Sequence, residues 1–252
     1  MTVAYDGTQY AGWQRQTKYS AEWKVQRQRR KPSTIQETLE RVLSHVLQEQ
    51  VRVVGSGRTD SGVHALGQVA HVRTRSRLRP AVVQRAANAL LPPDIVVKRC
   101  ARAATTFHAR YAAQRKRYRY RLGIGQYPSP FERRHVYHVR APLDVAAMRR
   151  AARTLKGAHD FAPFQAAGGR VDGAKRRVTQ VRLARHGEEL WFEIAANGFL
   201  YKMARRIVGT LLAVGRGQRP ASVIRDILET GNASLVGPTA PAHGLALVSV
   251  TY

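Results

Sequence analysis

Hydrophobic positions change their period several times along the chain, and each change marks an element. Thr2 to Tyr5 reads as a short extended segment ended by Asp6-Gly7, a turn signal. Ser33 and Thr34 stand three residues before Gln36 and Glu37, which is a capping-box signature. Ile35, Leu39, Val42, Leu43, Val46 and Leu47 then recur at helical spacing. A strand is predicted over Val51–Val54, a loop over Gly55–His64 and a second strand over about Gln68–Val72. Pro80 opens a helix over Ala81–Leu91 that Pro92-Pro93 stops. Ile95–Cys100 reads as a strand, and a long strand is expected from about His108 to Leu122. Beyond it come a helix at Val145–Leu155, strands at Val178–Ala184 and Leu190–Ala195, and a helix at Leu200–Val214. A short helix from Pro220 to Leu228 and a strand at Leu245–Val250 close the series.

The first six elements run strand, helix, strand, strand, helix, strand, the order of a ferredoxin-like half. A similar set recurs in the second part of the chain. The expected fold class is therefore α+β: two ferredoxin-like (RRM-like) halves, 1–105 and 106–252, with mixed, mainly antiparallel sheets and flanking helices. No low-complexity linker separates the halves, so a shared sheet or interface is expected.

Composition sharpens the picture in one direction. The 252 residues hold 43 Lys+Arg against 16 Asp+Glu, a net charge of +27, while 44% are hydrophobic. Such a chain has a core and also a strong positive field, which points to a polyanionic partner, nucleic acid first and an anionic membrane surface second. Residues 15–31 concentrate the charge, with seven basic residues against Glu22 alone. The single cysteine, Cys100, excludes an internal disulfide scaffold and a multi-cysteine zinc site. No apolar run approaches the ~18 residues of a membrane span, and the opening residues lack a signal-peptide pattern, so a cytoplasmic protein is expected.

Three segments carry candidate chemistry. In Gly55–His64, three glycines within eight residues permit close backbone approach to a ligand. The loop is neither a P-loop nor a dinucleotide fingerprint. Asp60 is the only acid between Glu49 and Asp94, a stretch with seven arginines. Nearby positive charge keeps such a carboxylate ionised, and an ionised carboxylate can act as a nucleophile. Taken alone, the loop favours the plainer reading, an Asp that caps a turn or pairs with Arg58. In Arg115–Arg121, strand spacing puts Tyr118 and Tyr120 on one face and Arg117, Arg119 and Arg121 on the other. Aromatic stacking on bases with phosphate contacts is one use of that arrangement; tyrosines in a core beneath an exposed charged face is the other. In Ala196–Thr210, an apolar stripe on a helix is core, and Arg205 and Arg206 ride on the same helix. The nine histidines form no metal-binding pair at helix spacing, and no second acid joins Asp60, so no metal is expected.

Together these segments resemble the tRNA pseudouridine synthase A family. Gly57-Arg58-Thr59-Asp60-Ser61-Gly62-Val63-His64-Ala65 is similar to its catalytic-loop motif. Tyr5-Asp6-Gly7-Thr8, Gly12-Trp13-Gln14, Thr34-Ile35-Gln36, Phe107-His108-Ala109-Arg110, Arg117-Tyr118-Arg119-Tyr120, Asp160-Phe161, Asn197-Gly198-Phe199-Leu200 and Met203-Ala204-Arg205 follow its pattern in order. The resemblance implies a cofactor-independent isomerase that converts uridine to pseudouridine at positions 38, 39 and 40 of the tRNA anticodon stem-loop. It also implies a homodimer in which two related halves form one pseudouridine synthase core. By the same resemblance Asp60 is the nucleophile and Arg205 pairs with it, Tyr118 stacks on the target uracil, and Arg58 helps hold the flipped nucleotide. Two features depart from the family: the chain begins almost inside the first strand, and the basic insertion 17–32 is longer than usual. Two other classes stand beside this reading. A non-catalytic RNA-binding protein or chaperone needs no lone carboxylate among arginines, and a metal-dependent nuclease needs clustered acids.

Overall fold

The computed structural model describes residues 1–15, 33–169 and 173–252. The basic insertion 17–32 lies outside them. Contacts divide the chain into two units, Met1–Ala113 and Gln114–Tyr252. Both mix helices with sheet, and the described residues hold five α-helices in all.

The first unit contains β1 (Thr2–Tyr5), α1 (Ile35–Leu47), β2 (Val53–Gly55), β3 (His64–Val72), α2 (Pro80–Leu90) and β4 (Ile95–Arg99). Its strands lie in the order β4-β1-β3-β2, all antiparallel. The capping box forms as expected: the Thr34 hydroxyl accepts from the Glu37 amide at 3.2 Å, and the Thr34 amide donates to the Glu37 carboxylate at 3.1 Å. Ile35, Leu39, Val42 and Leu43 are buried on one stripe of α1. On α2, Asn88 exchanges two hydrogen bonds with Val97 of β4, at 2.8 and 3.0 Å. That contact satisfies backbone groups on the outermost strand of this unit.

Two expectations change here. Strand β3 begins at His64 rather than near Gln68. Its start is hidden because Leu66 is half exposed while Gln68 is fully buried, the reverse of what alternating hydrophobicity reports. The strand expected from His108 begins only at Arg115. The His108 ring accepts from the Arg110 and Tyr111 amides, both at 3.2 Å, and the Ala109 amide donates to the His71 ring at 3.1 Å. These side-chain bonds take the amides a ladder would need.

The second unit contains β5 (Arg115–Gly123), β6 (Tyr137–His138), α3 (Val145–Arg153), β7 (Gly157–Asp160), β8 (Lys175–His186), β9 (Glu189–Ala196), α4 (Met203–Gly215), α5 (Val223–Thr230) and β10 (Leu245–Thr251). Its strands run β10-β5-β9-β8-β7 in antiparallel pairs, with β6 parallel to β5. One face of this sheet buries Tyr118, Tyr120, Leu122, Phe192, Ile194 and Leu247. Helix α4 starts at Met203, not Leu200, because Lys202 caps it in a left-handed conformation with φ 57°. No helix among the described residues is long and apolar enough to cross a membrane.

Candidate active site

Asp60 and Arg58 belong to the first unit, Tyr118 and Arg205 to the second. Asp60 sits half-buried in the loop between β2 and β3. Residues from the opening of the chain hold this loop by its backbone. The Trp13 amide donates to the Thr59 carbonyl at 3.0 Å, and the Ser61 hydroxyl donates to the Tyr10 carbonyl at 3.1 Å. The buried Tyr5 and Thr59 hydroxyls share a hydrogen bond of 2.8 Å. Burial pushes the Tyr5 phenol up to about 12, so it stays neutral there. Gly12 has φ +93°, and a Cβ on it would stand 2.6 Å from the Thr59 carbonyl oxygen. Only glycine permits both the dihedral and the approach.

The other side of the loop is fixed by buried polar groups. The Ser56 hydroxyl donates to Gln68 at 2.7 Å, and Gln68 donates on to the Gly57 carbonyl at 2.9 Å. Arg58 is exposed, and its Nε donates to Gln14 at 3.1 Å. Gln14 in turn donates to Gln36 at 2.8 Å, and Gln36 donates to the Val53 carbonyl at 3.1 Å. This chain of amides orients Arg58 from the first turn of α1. Sequence reasoning missed Gln36 and Gln68 as supports. Neither carries a local signal, because a glutamine reads as surface until its partners are known, yet both are buried.

In the second unit Tyr118 is only 7% exposed, and its ring meets Phe199 edge-on at a centroid distance of 4.8 Å. Tyr120 is core: it is fully buried and donates to the Pro241 carbonyl at 2.8 Å. The outward arginines are not a uniform row of cations. Arg119 donates twice to Glu193, at 2.8 and 3.0 Å, and its guanidinium lies 4.0 Å over the Trp191 ring. Arg121 forms a two-bond pair with Glu189, at 2.7 and 2.8 Å, and meets Glu132 at 2.9 Å. Burial alone would raise the Glu189 carboxyl, but Arg121 and the Trp191 indole N–H outweigh it and hold that carboxyl below its usual range.

Arg205 is half-buried on the first turn of α4. Its Nε donates to the Ala240 carbonyl at 2.8 Å, and the Ala240 amide donates to the Arg205 carbonyl at 3.2 Å. The segment carrying Ala240 can lie this close because Gly209 and Gly237 face each other. A Cβ on Gly237 would stand 2.7 Å from the Gly209 oxygen, and the Gly237 amide donates to the Thr210 hydroxyl at 3.0 Å. Arg206, the alternative basic residue on this helix, donates to the Gln165 carbonyl.

Comparison with known proteins gives concordant results. Residues 1–112 and 151–252 match the family described as tRNA pseudouridine synthase. Over 252 residues the chain is 46% identical to the tRNA pseudouridine synthase A of Anoxybacillus flavithermus, covering 100% of this chain and 97% of that one. It is 42% identical to the proteins of the same name from Acetivibrio thermocellus and Moorella thermoacetica, each alignment covering 100% of this chain and 98% of the relative.

Proposed function

The chain belongs to the tRNA pseudouridine synthase family, and on that premise we propose that it isomerises uridines 38, 39 and 40 of the tRNA anticodon stem and loop with Asp60 as nucleophile. The observation that carries this reading is the Asp60 loop. It holds the one acid of an arginine-rich stretch, on a glycine-bearing turn fixed by buried hydrogen bonds on both sides.

The reaction breaks N1–C1′, turns the uracil and joins C5 to C1′, and the C5 hydrogen leaves as a proton. No electrons enter or leave and no triphosphate is consumed. What the chemistry needs is a group that adds to the nucleoside and then departs, which an ionised carboxylate does. A stem uridine must first be flipped out, at about a few kcal/mol. Tyr118 is the proposed stacking platform, and base–aromatic stacking returns ~1–3 kcal/mol. Arg205 is the proposed partner of the Asp60 carboxylate, a planar fork suited to fixing its orientation. Arg58 is the proposed contact to the flipped nucleotide. In this reading the half 1–105 supplies the nucleophile and the half 106–252 the platform and the basic partner. The β4-β1-β3-β2 strand order supports a ferredoxin-like first half. The protein acts as a cytoplasmic homodimer without metal or organic cofactor, and its +27 charge holds the tRNA largely through phosphates.

The test is tritium release from tRNA labelled at uridine C5. The unchanged protein is expected to release tritium, and Asp60→Asn to release none while still binding tRNA. Tight binding without release from any tRNA would replace the isomerase with a non-catalytic RNA-binding protein.

A further inference from the structure

The outward face of β5 sets out three arginines two residues apart, and the two nearer the strand's end are each met by a carboxylate. Arg119 stands directly opposite Glu193 of β9, and Arg121 reaches Glu189 on the same strand. The third, Arg117, stands opposite Ala195. Where the series would place another acid there is a methyl group.

The consequence is visible in the packing. Arg117, Ala195, Gln180 of β8 and Ser249 of β10 form one row across four strands. With Arg115 and Thr251 from the next row they line a pocket of about 210 Å³. The Arg117 Nε is buried and has no hydrogen-bond partner among the described residues. Leaving a buried N–H unpaired is costly, so a site that does so points to a guest that accepts it. Among the described residues the lining supplies two guanidinium groups, an amide and two hydroxyls, and no carboxylate. Such a set suits a tetrahedral oxyanion with several acceptor oxygens.

We propose that this pocket takes a backbone phosphate of the RNA substrate, with Arg117 as its central donor. The inference rests on the reading of the chain as a tRNA-modifying enzyme and adds to it an RNA contact outside the Asp60, Tyr118, Arg205 and Arg58 set. A phosphate supplies to Arg117 what Glu193 supplies to Arg119. The net charge of +27 favours RNA as the source.

The experiment measures retention of a tRNA transcript on filters from about 50 to 200 mM salt. Arg117→Gln is expected to weaken binding on the order of tenfold at low salt and to flatten the log–log salt slope by roughly 0.7–0.9, one phosphate contact. Ala195→Glu, which supplies the missing carboxylate from within, is expected to do the same. Circular dichroism checks that each variant is folded, and either one alone decides the matter. Arg117→Lys keeps the slope and loses part of the affinity, because an ammonium cannot form the fork. The Arg119→Gln/Glu193→Gln pair removes an arginine already engaged by an acid and is expected to leave the slope unchanged.

An unchanged slope in either Arg117→Gln or Ala195→Glu, once that variant is shown to be folded, would overturn the proposal. So would loss of self-association at constant slope, which would assign the pocket to a carboxylate of a second copy. Calorimetric binding of inorganic phosphate that Arg117→Gln abolishes at constant RNA slope would assign a free-anion site instead, and also overturn it. Tritium release by the same preparations keeps the two readings apart. Release with an unchanged slope sinks the phosphate site alone, and a flattened slope without release by the unchanged protein sinks the isomerase alone.

Discussion

Gly209→Ala sets two effects of opposite sign against each other. In a helix interior Ala is better than Gly by ~1 kcal/mol, so propensity alone predicts a stabilised α4. The structure predicts the reverse. A methyl at residue 209 would fall on the Pro238 carbonyl, with that carbonyl carbon 2.8 Å away and the Ala240 nitrogen at 3.4 Å. These neighbours are backbone, so no flexible side chain can swing aside. Overpacking costs about 1–3 kcal/mol, and a backbone clash belongs at the upper end. The net loss is about 2 kcal/mol, which for a chain of this length lowers Tm by roughly 4–8 °C. The same displacement disturbs the paired Arg205–Ala240 hydrogen bonds. On the proposed role of Arg205 as partner of the Asp60 carboxylate, a misplacement of about 1 Å costs on the order of 10² in rate, so tritium release is expected to fall by more than the folded fraction explains. Thermal melting by circular dichroism and single-turnover tritium release read the two effects separately. A Tm raised by the propensity gain, with an unchanged rate, would refute the close-approach argument.

Other expectations follow from the same geometry. Glu193→Gln strips the charge from the nearly buried partner of Arg119 and is expected to cost about 1.5–3 kcal/mol, read from the urea midpoint. Adding Arg119→Gln should recover much of that loss, since the cost lies in the stranded charge. His71 has its pKa lowered by burial, and then by the charges of His108 and Arg73. The fold therefore favours its neutral form, whose Nδ1 accepts from the Ala109 amide. Its contribution to stability is complete above the ordinary histidine pKa of ~6.5 and is lost as pH falls through that value toward the lower folded one. Tm measured from pH 7.5 to 5.5 should drop less in His71→Gln than in the unchanged chain, and equal drops would exclude His71 as the titrating group.

Local chemistry made much of the fold legible in the sequence. The Thr34–Glu37 box announced α1 because both halves of the signal lie within one turn. The Asp60 loop stood out because a lone acid among arginines is a compositional fact. Features that depend on distant partners were not legible. That Arg119 and Arg121 are met by acids is decided by β9, about 70 residues further along. Tyr118 and Tyr120 share a face as strand periodicity required, but periodicity could not tell that Tyr120 spends its hydroxyl on Pro241. The four-residue β7 and the two-residue β6 carry too little pattern to be seen, and β7 exists through its pairing with β8. The polar supports of the loop, Gln36 and Gln68, were invisible for a related reason: a buried glutamine reads as surface until its acceptors are known.

The clamp on the Asp60 loop has a consequence for the order in which the protein is made. Thr59 and Ser61 are held by Tyr5, Tyr10 and Trp13, which a ribosome delivers about fifty residues earlier. Backbone bonds from Ala11, Gly12 and Trp13 to Ser33, Ile35 and Gln36 can tie the opening residues to the start of α1 first, but their grip on the loop waits until Thr59 and Ser61 emerge, and closing a loop of about fifty residues costs roughly 3.5 kcal/mol of chain entropy plus a constant. Strand and helix between them can form beforehand, but the carboxylate is set in place only when both stretches meet. If Asp60 is the nucleophile, as proposed, a nascent chain acquires much of the positive charge of its first half before that carboxylate is aimed, and reactivity arrives later than affinity.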